Sequence, residues 1–123
     1  MRILLADDQV EVRSALRLLL DQSDGMAVVG EVAEAKELST KLESACPEVV
    51  LLDWELPDLR AAESLVELRS RCPRLMVIAL SSRPEARHTS LAAGADAFVS
   101  KGDAPEVLLA TVDQLGQRDI LQQ

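Results

Sequence analysis

Short apolar runs alternate along the chain with longer stretches of helical periodicity, five times over. Ile3-Leu4-Leu5-Ala6 is the first run and Met26-Ala27-Val28-Val29-Gly30 the second. Val49-Val50-Leu51-Leu52, Leu75-Met76-Val77-Ile78-Ala79-Leu80 and Ala97-Phe98-Val99 complete the set. Continuous apolar runs rich in β-branched residues suit strands covered on both faces, as a parallel sheet requires. Between the first two runs, Val12, Ala15, Leu16, Leu19 and Leu20 recur at the spacing of a helix with one apolar face. Leu65, Val66 and Leu68 mark a third helix, with Glu63, Glu67, Arg69 and Arg71 largely on its wet side. Val107, Leu108, Thr111, Val112 and Leu115 form the apolar stripe of the last.

The punctuation agrees with this division. Cys46-Pro47 and Cys72-Pro73 each place a proline where a helix must end and a strand soon begins. Ser82-Arg83-Pro84-Glu85 and Asp103-Ala104-Pro105 each supply a capping oxygen followed by an early proline, and so predict the starts of the fourth and fifth helices. Strict alternation of strand and helix gives an α/β fold: a (βα)5, doubly wound, parallel five-stranded sheet with right-handed crossovers and helices on both faces. In such a sheet ligands bind beyond the carboxyl ends of the strands, where the winding reverses.

Composition narrows the function more than the fold. The 123 residues suffice for one domain with a real core, and 48% hydrophobic with 28% charged residues is ordinary for a folded soluble chain. Thirteen Lys and Arg against 21 Asp and Glu leave a net charge of −8. Such a chain has no general attraction for nucleic-acid phosphates, so any contact with DNA would fall to another domain. No stretch approaches the ~20 apolar residues of a membrane span, and the first apolar run is too short for a secretion signal. A cytoplasmic location without membrane contact is expected. Cys46 and Cys72 fit no metal-binding spacing and are expected as buried thiols rather than a disulfide. His88 reads as a surface residue and Trp54 as half exposed.

The chemistry gathers at the strand ends. Asp7 and Asp8 follow the first strand and Asp53 closes the third. With the strands in the order 2-1-3-4-5, these two ends are neighbours at the switch point. Three carboxylates crowded there repel each other, and burial makes their charges costlier. A hard divalent cation relieves the conflict, and Mg²⁺ in particular binds few carboxylates and leaves room for a phosphate oxygen. Ser81 ends the fourth strand and Lys101 lies just past the fifth. Their hydroxyl and ammonium could bind the oxygens of a phosphoryl group carried by Asp53. Positioning plus charge stabilisation is what phosphoryl transfer needs. Taken singly, each residue has a plainer reading: Asp7-Asp8 as a helix cap, Asp53 as a loop cap, Ser81 as a turn residue, Lys101 as an exposed lysine. Their joint appearance at four strand ends favours a site. No glycine-rich loop follows the first strand, which argues against a nucleotide-binding enzyme.

Ala6-Asp7-Asp8-Gln9, Leu51-Leu52-Asp53-Trp54-Glu55-Leu56-Pro57, Ala79-Leu80-Ser81 and Gly94-Ala95-Asp96-Ala97-Phe98-Val99-Ser100-Lys101 resemble the receiver domain of two-component response regulators. The resemblance spans essentially the whole chain and implies a flavodoxin/CheY-like fold. It implies that Asp53 accepts a phosphoryl group from a histidine kinase or phosphotransfer protein. Asp7, Asp8, Asp53 and the backbone carbonyl of Glu55 would bind Mg²⁺, and Ser81 and Lys101 would bind the phosphate. Ser81 and Phe98 would act as the switch that reshapes the face made by helix four, strand five and helix five. Phe98, the sole phenylalanine, fits plain core packing equally well. On this resemblance the chain is a signalling domain, not an enzyme beyond its own phosphorylation and dephosphorylation.

Ala6-Asp7-Asp8-Gln9 and Ser100-Lys101-Gly102-Asp103-Ala104-Pro105-Glu106 look most like the NarL/LuxR-type subgroup, whose receivers usually precede a helix-turn-helix domain that controls transcription. Residues 1–116 are therefore expected to form the receiver, and 117–123 a tail or the start of a linker to an output domain. A homodimer is compatible with the sequence. Two departures bear on the switch. Arg60-Ala61-Ala62 stands where the family usually has a glycine, and Gly102 replaces a frequent proline after the lysine. They leave open an alternative, a receiver-like interaction scaffold that works without phosphate.

Overall fold

The computed structural model describes residues 1–121. Strands β1 (Arg2–Ala6), β2 (Ala27–Val32), β3 (Val49–Asp53), β4 (Met76–Ser81) and β5 (Ala97–Ser100) form one parallel sheet in the order β2-β1-β3-β4-β5. Helices α1 (Val10–Asp21), α2 (Leu38–Ala45), α3 (Ala61–Arg71), α4 (Ala86–Ala92) and α5 (Pro105–Leu121) alternate with them, and a 3-10 turn, Ala35–Glu37, leads into α2. The predicted (βα)5 class and strand order are those of the structure.

The two-fold periodicity of the strands divides the core in two. Leu4, Val50, Leu52 and Val77 pack with Leu42 of α2 and Leu65 of α3 on one face. Ile3, Leu51 and Ile78 pack with Leu20 of α1 and with Leu108 and Val112 of α5 on the other. Every residue of β3 and β4 is buried, which is why those segments read as unbroken apolar runs rather than alternating ones. Edge strand β2 is only partly covered along most of its length. The pairings Ala6 to Leu52, Asp53 to Leu80 and Ser81 to Ser100 bring the carboxyl ends of β1, β3, β4 and β5 to one rim.

Several local expectations give way to tertiary structure. Pro105 opens α5 as predicted, but the Asp103 carboxylate turns back to accept the Ser100 amide at 3.0 Å. Helix α4 starts at Ala86, after Pro84, and no side-chain oxygen caps it. The Ser81 hydroxyl takes the Arg83 amide at 2.9 Å, closing a turn where Ser82 was expected to start a helix. Helix α5 runs on through Leu121, so residues 117–121 are helical, and residues 122–123 lie outside the described part. Cys46 is exposed, not buried, and both thiols are free. It ends α2 in the left-handed region (φ 48°), where Pro47 after it disfavours another helical residue. Val66 is 71% exposed, on the outer side of α3.

Arg69, expected on the wet side of α3, is partly buried and organises the entry to β5. It donates to the Gly94 carbonyl at 2.6 Å and to Asp96 at 2.8 Å, and the Asp96 carboxylate also accepts the buried Val77 amide at 2.7 Å. Gly94 has φ 111°, a conformation open to glycine and costly for other residues. The Asp58 carboxylate accepts the Ala35 and Lys36 amides at 2.8 and 3.0 Å, tying the loop after β3 to the loop after β2. These donors, Ala35 first, hold its pKa below the ordinary value. The Arg60 φ of −108° makes no use of a glycine's freedom, and no cis peptide bond occurs among the described residues. Nor is any helix among them long and apolar enough to cross a membrane.

Asp96→Ala leaves the buried Val77 amide without its partner and the Arg69 guanidinium with the Gly94 carbonyl but no carboxylate. Its expected cost is about 2 kcal/mol of unfolding free energy, read as a lower urea midpoint with an unchanged slope. A midpoint equal to that of the parent would show that the Arg69–Asp96 pair does not order the β4 and β5 entry.

Candidate functional site

Because β1 and β3 are hydrogen-bonded neighbours, the residues at their carboxyl ends cannot avoid one another. One carboxylate oxygen each from Asp7, Asp8 and Asp53 lies within 4.8 Å of the others. Asp7 and Asp53 are each 1% exposed, while Asp8 faces solvent. Each loop at this rim is fastened to a neighbouring strand. The Asp7 amide donates to the Val32 carbonyl at 3.1 Å, and the Trp54 amide to the Leu80 carbonyl at 2.8 Å. The Lys101 amide donates to the Ser81 carbonyl at 2.9 Å.

Side chains complete the fixing. Asp7 Oδ1 accepts the Gln9 amide at 2.8 Å, which shapes the turn into α1. Arg13 donates to the Asp7 carbonyl and, with Arg17, pairs with Glu31 of β2 at 3.1 and 2.7 Å. Asp53 Oδ1 accepts the Glu55 amide at 2.9 Å. Lys101 reaches in from beyond β5, its Nζ 3.0 Å from Asp7 Oδ2 and 3.3 Å from Asp53 Oδ1. Lys101 is thus no ordinary surface lysine.

One cation among three carboxylates leaves the site short of positive charge. Burial, reinforced by the charge of Asp7, pushes the Asp53 pKa up to about 6, although the Glu55 amide and Lys101 pull it down. Burial works against the Lys101 ammonium, yet the Asp7 and Asp53 carboxylates hold its pKa above the ordinary lysine value. Asp7 Oδ2 is buried without a hydrogen bond of good geometry; the 3.0 Å approach of Lys101 gives it an ion-pair partner only. Two buried acids and a third open to solvent match what a hard, partly hydrated divalent cation requires. The cluster could hold a metal.

Ser81 is buried at the end of β4 as expected, but its hydroxyl does not point its proton at the acids. It donates to the Glu55 carboxylate, whose Oε1 also lies 3.2 Å from the Ser82 amide and 3.4 Å from the Ser82 hydroxyl. The sequence singled out Glu55 for its backbone carbonyl alone, and its side chain is the part of the site that was missed. Donation by Ser81 is the main reason that the Glu55 pKa lies below the ordinary value. Phe98 packs partly buried against the α2–α3 side of the core, and the Arg87 guanidinium of α4 sits 5.5 Å from its ring centroid. Trp54 is half exposed beside the same core, and His88 is exposed.

Residues 3–113 match the family model of the response regulator receiver domain. The chain belongs to the response regulator receiver family. The receiver is 32% identical over 114 residues to the nitrate/nitrite response regulator protein NarL of Escherichia coli K12, a match that covers 91% of this chain and 53% of NarL. It spans about half the length of the curated relatives that it matches. A LuxR-family two-component response regulator from Aurantimonas superposes with a TM-score of 0.85 at 27% identity, covering 94% of this chain and 85% of the other. A CheY-like receiver domain from Methanospirillum hungatei gives 0.85 at 27% identity, covering 99% and 98%. The NarL/LuxR-type resemblance of the motifs is thus matched by the relatives found.

The raised pKa of Asp53 gives the metal-free receiver a distinctive pH dependence. Near pH 4 and below, Asp53 is protonated when folded and its burial carries no charge penalty. As the pH rises past about 6, the folded protein must hold a buried charge that the unfolded chain solvates freely, so stability falls across that window. Asp53→Asn is expected to remove this loss, measured as the difference between the two proteins' unfolding free energies at pH 4 and pH 7 without divalent metal. A constant difference would show that Asp53 ionises normally in the fold.

Proposed function

We propose that this receiver accepts a phosphoryl group on Asp53, with Mg²⁺ bound by Asp7, Asp8, Asp53 and the Glu55 carbonyl. The observation that carries the reading is the convergence of the three carboxylates with Lys101 lodged between Asp7 and Asp53. A buried cluster of acids around one lysine is a poor way to stabilise a fold, and a good way to await a cation and an anionic group.

A carboxylate oxygen of Asp53 attacks the phosphorus of a phosphohistidine on a histidine kinase or phosphotransfer protein. The O–P bond forms as the P–N bond breaks, and the departing imidazole retains its electron pair. Bound Mg²⁺ would supply the positive charge that offsets the crowded carboxylates and phosphoryl oxygens. Lys101 then pairs with a phosphoryl oxygen, and the Ser81 hydroxyl donates a hydrogen bond to another. Moving Ser81 toward the phosphate frees space for Phe98 to turn inward, which changes the face formed by α4, β5 and α5. Water later attacks the phosphorus, releases inorganic phosphate and restores the Asp53 carboxylate.

The relatives' names and the half-length match support a larger protein in which this receiver controls transcription through a DNA-binding domain after residue 123. Residues 1–116 then make up the receiver, with 117–123 a tail or the start of the linker. The acidic receiver itself leaves DNA alone, can pair with a second copy, and works in the cytoplasm away from the membrane.

Incubation with a small phosphodonor and Mg²⁺ is expected to add the mass of one phosphoryl group to the intact chain. Asp53→Ala abolishes the adduct, and Lys101→Ala slows its formation by about tenfold or more. Labelling that persists in Asp53→Ala would overturn the acceptor assignment. A Trp54 fluorescence that ignores both Mg²⁺ and beryllofluoride, together with no labelling, would favour the phosphate-independent scaffold.

A further inference from the structure

The carboxylate of Glu55 forms a second anionic site for the Ser81 hydroxyl, in competition with any phosphoryl group on Asp53. A serine hydroxyl carries a single proton. Here that proton goes to Glu55, and one of the oxygen's acceptor positions is filled by the Arg83 amide at 2.9 Å. Phosphoryl oxygens on Asp53 are acceptors only, so Ser81 can serve them only by leaving Glu55. The hold is broader than one bond, since the same Oε1 accepts from the Ser82 amide at 3.2 Å. The β4–α4 loop is thereby fastened to the residue two places after the acceptor.

We propose that the Glu55 side chain is a latch that keeps Ser81 in its resting position and sets how strongly a phosphoryl group must bind to draw it away. The proposal rests on Asp53 as the phosphoacceptor. Glu55 acts through Ser81, as a positioning residue, while its backbone carbonyl is unaffected by substitution of the side chain. A ligand shifts a two-state equilibrium only by its difference in affinity for the two states, so a contact confined to the resting state directly lowers apparent affinity for the phosphoryl group.

Beryllofluoride, added with Mg²⁺ and followed through Trp54 fluorescence, tests this. Glu55→Ala is expected to lower the half-saturating concentration about tenfold, the typical weight of a hydrogen bond to a charged group, with Glu55→Gln in between. In a Ser81→Ala background the same Glu55→Ala change should alter it by less than about twofold. No gain in Glu55→Ala, or a full gain that survives in Ser81→Ala and so reflects charge repulsion alone, would overturn the latch. Failure of the unsubstituted receiver to bind beryllofluoride in an Asp53-dependent way would instead overturn the phosphoacceptor reading. The resting contact has its own check without metal or phosphate: hydrogen exchange at the Ser82 amide should quicken about tenfold in Glu55→Ala, and unchanged exchange would overturn the latch on its own.

Discussion

Two acids, Asp7 and Asp53, are packed out of water at adjacent strand ends, with a third, Asp8, alongside them. The strands that end beside them, β1 and β3, are hydrogen-bonded neighbours, so the sheet brings the carboxylates together. Their repulsion must be met from outside the acids, and in the resting molecule Lys101 meets it in part. That lysine arrives because β5 pairs with β4 and because its own amide is bonded to the Ser81 carbonyl. One ammonium does not balance three carboxylates, and burial, with the charge of Asp7 adding to it, raises the pKa of Asp53. The same shortage of positive charge suits the cluster to a cation. Raised proton affinity and suitability for a cation both follow from carboxylates that are crowded together and packed out of water.

The rest of the fold can be understood as what makes that conflict sustainable. A parallel sheet covered on both faces sends all its carboxyl ends to one rim, and the fully buried β3 and β4 fix where Asp53 and Ser81 stand. Loops could still relieve the repulsion by moving. They are prevented by backbone bonds, Asp7 to Val32, Trp54 to Leu80 and Lys101 to Ser81, each linking a rim residue to a neighbouring strand. Arg13 adds a donor on the Asp7 carbonyl, and Glu31 anchors Arg13 in turn. Site residues placed on rigid elements and pinned by second contacts hold their geometry better than loop residues left free.

This division explains what could be read from the sequence. Strand identity and order depend on apolar runs and on connection rules, both local or nearly so, and the acids are found by asking which residues stand at strand ends. The side-chain pairs that join distant elements have no periodicity to betray them. Glu55 reaching Ser81, Arg69 reaching Asp96 and Asp58 capping the Ala35–Glu37 turn fall in that class. Local capping rules also misplaced Ser82 and Asp103. Both segments offered a good helix start, but the chain used Ser81 and Asp103 to close turns beside the site instead. Val66 illustrates the same limit from the apolar side, since its spacing fits a stripe that α3 turns toward solvent.

Arg60-Ala61-Ala62 and Gly102 raised a question about the conformational response, and the backbone gives it a local answer. Arg60 occupies an ordinary negative φ, so the absent glycine leaves no strained turn behind. What distinguishes the resting state is held instead by side chains. Glu55 engages Ser81, and Arg87 stacks over Phe98, one charged group on each of the two residues assigned to the switch. Both charged groups belong to residues on the surface, outside the buried acids. On the phosphoacceptor reading, the sensitivity of the response and the chemistry of the acceptor therefore reside in different residues. Substitution at Glu55 or Arg87 can move the balance between resting and activated arrangements while Asp7, Asp53 and Lys101 keep their places. Replacing any of those three changes the chemistry itself.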